Sequence, residues 1–98
     1  MTVLKKEKHY IFRDKNSDPI LFTGEALIDI LKKYNKQYKE KGAEYPLTIV
    51  SVLKILSNLL PEESAENIDV KFVNEYDTRE EANKAGEEIS KLVHEKKK

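Results

Sequence analysis

Most side chains in this chain that are spaced to do chemistry carry positive charge. Lys32, Lys36 and Lys39 recur at intervals of four and three, so on a helix they form one stripe. Such a stripe neutralises nucleic-acid phosphates through contacts that weaken as salt rises. Lys33 and Lys41 lie on the same segment, and Lys5, Lys6, Lys8, Arg13 and Lys15 add to the basic first half. A helix that buries one face must also show polar residues to water, and lysine serves that end equally. The near-neutral pI of about 6.7 and the presence of arginine only at Arg13 and Arg79 make phosphate binding the second of two readings. For acid–base or nucleophilic work the chain offers His9 and His94, neither with a partner at a readable spacing. The pairs Glu62/Glu63 and Glu80/Glu81 are consecutive and splay apart on a helix. Gly24, Gly42 and Gly86 stand alone, so no glycine-rich phosphate loop is present. The expectation is a protein that is not an enzyme, with no catalytic and no cofactor-binding residue.

Between Asp14 and Glu25 the oxygen-bearing side chains Asp14, Asn16 and Asp18 alternate before Pro19. This run resembles an EF-hand calcium loop, with those residues at positions 1, 3 and 5 and Glu25 at position 12. The resemblance implies hard oxygen ligands and a bidentate carboxylate opening the next helix. It covers about 12 residues, and it departs from the family where Pro19 replaces the glycine that turns at positive φ. The segment before it also reads as a strand, whereas an EF-hand loop follows a helix. Pro19 holds Asp18 extended, which favours strand entry over a wrapped loop. The expectation is a hairpin turn with no bound cation and no metal ligands.

The elements that would position these residues follow from periodicity. His9–Arg13 and Ile20–Thr23 are rich in aromatic and β-branched residues and flank a polar turn, which predicts a hairpin. Leu27, Ile30, Leu31, Tyr34 and Tyr38 then recur at helical spacing. That helix is expected from about Gly24 to Lys41, capped by Thr23 and closed by Gly42. Pro46 to Leu60 mixes strand-like residues with a helical stripe and is assigned to a helix. Its apolar residues Ile49, Val50, Val52, Leu53, Ile55, Leu56, Leu59 and Leu60 cover more than half of its circumference, so part of the arc is expected to be exposed or covered by a partner. Val50, Ile55 and Leu59 are the candidate protein-interface residues. Ile68 to Val73 alternates as a strand with one buried face. Thr78-Arg79-Glu80-Glu81 opens a last helix with apolar positions Ala82, Ala85, Ile89, Leu92 and Val93. The aromatic residues fall mostly on stripes that a core needs, with Tyr38 and Tyr45 expected to be partly exposed.

The resulting expectation is an α+β fold of order β-β-α-α-β-α. A small antiparallel-containing sheet of about three strands would have three helices on one face and its outer face solvated. At 98 residues the chain reads as a single domain, 1–98, with residues 1–7 and 95–98 fraying. It is 39% hydrophobic and 37% charged and contains no cysteine, which excludes a disulfide framework and a thiolate centre and favours a cytoplasmic setting. No signal-peptide pattern and no apolar run long enough for a membrane span is visible. Residues 1–60 carry 11 Lys/Arg against 7 Asp/Glu, and residues 61–98 carry 7 against 11. The preference for lysine fits AT-rich bacterial or phage coding. These features point to a small non-enzymatic interaction or accessory module. Its partner is another protein or a second copy of itself, with nucleic-acid binding through Lys32, Lys36 and Lys39 as the alternative.

Overall fold

Tyr10, Ile11 and Phe12 are all fully buried, and consecutive buried side chains on a strand require cover on both faces. They lie on β1 (His9–Arg13), the central strand of an antiparallel sheet of order β2-β1-β3, with β2 at Ile20–Thr23 and β3 at Lys71–Tyr76. This computed structural model describes residues 3–15, 17–39, 42, 44–66 and 68–96. Helices α1 (Gly24–Tyr38), α2 (Ile49–Leu56) and α3 (Arg79–Lys96) complete the α+β order β-β-α-α-β-α.

The helices do not share one face. Tyr10 and Phe12 join Leu27 and Leu31 of α1 and Ile49 and Val52 of α2 in one core. Within it Phe12 meets Phe22 nearly edge-on, with ring centroids 6.1 Å apart, and Phe72 at 5.5 Å. Ile11 points the other way and is paired with Leu21. Leu21 lies under α3, because a Cβ added to Gly86 would come 3.1 Å from its side chain. Ala82 and Val93 of α3 are buried, and that helix packs on all three strands. The expected solvated face is therefore the seat of α3. The cause is visible in β1, whose unbroken apolar run Tyr10-Ile11-Phe12 differs from the alternation of a half-exposed strand.

Local chemistry sets the element ends. Thr23 Oγ1 accepts the Ala26 N–H at 3.1 Å and starts α1, with Glu25 in its first turn. α1 ends at Tyr38, short of the expected Lys41, which lies outside the described residues. Gly42 has the positive φ expected of it, 71°, but sits in the turn beyond the cap, its N–H donating to the Lys39 carbonyl. The Pro46–Leu60 segment does form a helix, shortened to Ile49–Leu56. Asn58, which the periodicity assigned to the polar stripe, takes φ 60°. Its N–H donates to the Ile55 carbonyl and that of Leu59 to the Lys54 carbonyl, a Schellman ending.

β3 is displaced from the expected Ile68–Val73. Ile11 pairs with Asn74 and Phe12 with Phe72, so Val73 is the extra residue of a β-bulge. Ile68 and Val70 keep their inward alternation with Asp69, but ahead of the ladder.

Residues 3–8 lie partly within the segment expected to fray, of which Met1 and Thr2 fall outside the described residues, and they contact the rest of the fold. Val3 bridges Thr48, and the Leu4 N–H donates to the Leu47 carbonyl at 3.0 Å. Leu4 is 5% exposed and belongs to the core. The Lys5 N–H donates to the Tyr10 hydroxyl at 2.8 Å, and Lys8 is ion-paired with Asp77. At the other end α3 continues to Lys96, while Lys97 and Lys98 lie outside the described residues.

Candidate functional site

An apolar groove of about 420 Å³ opens between α1 and α2. Phe22 contributes from β2, Ile30 and Tyr34 from α1, and Ile55 and Leu56 from α2, with Lys33 on the α1 side. The amphipathic stripe of α1 explains the lining. Leu27 and Leu31 reach the core, while Ile30 sits at the edge of the stripe and stays 36% exposed. Beside the groove, Ile20 of β2 is 42% exposed.

The three residues assigned to an interface from the sequence are not brought together. Ile55 lines the groove. Val50 is 38% exposed, and five residues of helix place it about 140° away from Ile55. Leu59 follows α2 and is half-buried in a separate hollow with Ser57, Ile68 and Val70. Of the wide apolar arc, Ile49 and Val52 are buried, and Val50 and Leu60 are exposed. Sequence periodicity placed Ile30 and Tyr34 on the core stripe and did not assign them to a site. The available signal was Ile30's position at the margin of that stripe.

Lys32, Lys36 and Lys39, by contrast, do converge. All three are exposed and line a second hollow of about 520 Å³ with Asn35, Gly42 and Glu44. Among the described residues none of them is within ion-pair distance of a carboxylate. Asn35 ties this wall to the segment after α1: its Nδ2 donates to the Tyr45 carbonyl at 2.9 Å, and its Oδ1 accepts the Tyr45 N–H at 2.5 Å.

That clamp accounts for Tyr45, which is 2% exposed rather than partly open as expected. Its ring meets those of Tyr34 and Tyr38 edge-on at 6.1 and 6.4 Å, and its hydroxyl donates to the Leu59 carbonyl at 2.5 Å. Burial pushes its phenol pKa up.

The remaining chemistry-bearing side chains are dispersed. His9 pairs with Thr23 at the start of β1, whereas His94 Nε2 lies 3.3 Å from Asp18 Oδ1 at the hairpin turn. Those are opposite ends of the strand. Asp14 Oδ1 accepts the Lys15 N–H at 2.7 Å, and Asn16 lies outside the described residues. Glu25 follows Thr23 and so stands at the His9 end, separated from Asp14 by the length of β1, roughly 15 Å. A calcium loop would need both carboxylates on one ion. Calcium titrated into isotopically labelled protein is thus expected to leave the amide resonances of Asp14, Asp18 and Glu25 in place. Saturable shifts at millimolar calcium or below would overturn this. Among the described residues no three His, Asp or Glu side chains gather to hold a metal, and no helix is long and apolar enough to cross a membrane.

No family model matches the chain, nor does any curated protein or solved structure.

Proposed function

We propose that this chain is a small, non-enzymatic protein-interaction module with a regulatory or accessory role, and that the α1/α2 groove receives apolar side chains of a partner. The observation that carries this reading is Ile30, which stays exposed beside Phe22 and Ile55 when the core positions of the same helix are covered. Transferring such surface from water to a partner yields about 25 cal/mol per Å², and a preformed concavity lowers the ordering cost of docking. Lys33 puts a single positive charge on the groove's wall. The cysteine-free composition supports a cytoplasmic setting.

The test is a photo-crosslinking residue at Ile30 or Ile55 in living cells, with Glu87 on the exposed side of α3 as the comparison position. Protein adducts are expected from the two groove positions and not from Glu87. Absence of any protein adduct from Ile30 and Ile55 would sink the proposal.

A second reading, nucleic-acid binding, is favoured by the hollow that gathers Lys32, Lys36 and Lys39. It predicts gel shifts at low salt that fade as salt rises. Replacing all three lysines with alanine should flatten the logarithmic salt dependence by about 2 to 3 units on duplex DNA. If neither single- nor double-stranded probes shift at low salt, this second reading is removed.

A further inference from the structure

The two edges of the sheet are built differently. β3 is blunted in the usual ways of protected edges, with Lys71 and Glu75 in the strand and a bulge at Val73. β2 (Ile20–Thr23) has no charged residue and no bulge, and among the described residues nothing pairs with its outer side. Ile20 is 42% and Leu21 37% exposed, one on each face of the sheet. Such an edge is a template for another strand.

The direction of its free groups can be read from the ladder. The Gly24 N–H donates to the Lys8 carbonyl at 2.8 Å. Antiparallel pairs alternate, so the register Tyr10 with Phe22 and Phe12 with Ile20 continues the bonded set. Leu21 then aims its N–H and C=O outward and Thr23 its N–H, the Thr23 carbonyl being taken by the first turn of α1. Pro19, two residues before Leu21, has a carbonyl to offer and no N–H.

We propose that the occupant of this edge is a second copy of the chain. The two β2 strands pair antiparallel about a two-fold axis at Leu21, giving a continuous six-stranded sheet. This deepens the groove reading, on which it rests, by naming the partner. The centred register is self-complementary. Leu21 exchanges both backbone hydrogen bonds with Leu21 of the second copy, and each Thr23 N–H meets a Pro19 carbonyl, the one group proline can supply. Ile20 falls opposite Phe22 of the second copy on the groove side, and the two Leu21 side chains meet on the α3 side, so every facing pair within the strand is apolar.

Charge supports the same arrangement. The chain has a net charge of +0, so copies do not repel one another overall. The exposed surface of α1 is acidic in its first half, at Glu25 and Asp29, and basic in its second, at Lys32, Lys33 and Lys36. A two-fold axis reverses α1 relative to its copy, so the acidic and basic halves of the two helices run in opposite order.

Sedimentation velocity of the full chain from low micromolar to millimolar concentration tests the pairing. The expected result is a shift from 11.4 kDa toward twice that mass. Ile20→Lys, at a position already exposed, should weaken self-association by about tenfold or more, since the two-fold repeats each loss. Amide exchange keeps the test open should that variant fold poorly. In the parent protein the Leu21 and Thr23 amides should exchange fast when dilute and become protected when concentrated. A mass of 11.4 kDa throughout, or self-association that leaves both amides unprotected, overturns the proposal. Either result leaves the groove reading to its own test, because adducts from Ile30 to a different protein support that reading without self-pairing.

Discussion

Gly24→Ala is expected to destabilise the fold by about 3 kcal/mol and to lower its melting temperature by roughly 12 to 20 °C. A Cβ on Gly24 would stand 1.8 Å from the Lys5 carbonyl oxygen and 2.7 Å from its carbon. Both are backbone atoms and cannot rotate aside. The N-terminal segment would have to lift, withdrawing Leu4 from the core and breaking the Lys5 N–H bond to the Tyr10 hydroxyl. Helix propensity alone argues for the opposite sign, since alanine is the better helix former by about 1 kcal/mol. The steric term is larger and should win. Gly42→Ala separates the two kinds of glycine effect, because at φ 71° nothing lies within 4 Å of its would-be Cβ. It should cost about 1 kcal/mol of backbone strain only. Thermal unfolding followed by circular dichroism measures both, and a Gly24→Ala protein melting within a few degrees of the parent would refute the close approach.

Tyr45→Ala is expected to cost about 4 kcal/mol, a large part of the stability available to a domain of this size. The ring is packed edge-on against Tyr34 and Tyr38, and its hydroxyl reaches the Leu59 carbonyl beyond α2. It therefore joins the end of α1 to the end of α2. Tyr45→Phe keeps the ring contacts and loses the hydroxyl bond, which predicts about 1 to 2 kcal/mol. Urea denaturation midpoints should rank the parent, Tyr45→Phe and Tyr45→Ala in that order. Equal midpoints for the two variants would show that the ring contributes nothing.

The same residue predicts alkaline behaviour. Burial raises the phenol pKa of Tyr45, and of Tyr10, above the ordinary value of 10.0. Below pH 10 both phenols are neutral in the folded and the unfolded chain, and their packing contribution is fully present. Above it the unfolded chain ionises first, so stability falls as pH rises through 10 toward the folded-state value. Tyr45→Phe should show a shallower fall than the parent. An identical pH slope in the two proteins would count against burial as the cause.

The sequence by itself determined the element order, the hairpin and the cap at Thr23, because each rests on periodicity or on residues within one turn of the chain. It also determined that Lys32, Lys36 and Lys39 share one helix face, since a helix brings the fourth and seventh residues round to one side whatever it packs on. Only the tertiary structure decided the rest. Which face of the sheet receives α3 is a non-local matter that Ile89 and Val93 do not encode, although the unbroken run Tyr10-Ile11-Phe12 hinted at two-sided burial. The burial of Leu4 and Tyr45 depends on partners distant in the chain, Leu47 for one and Asn35 and Leu59 for the other. The scattering of Val50, Ile55 and Leu59 has the same origin. A helical stripe reports how much apolar surface must be covered, and only the positions of α1, β2 and the loop after α2 settle which part of it each neighbour covers.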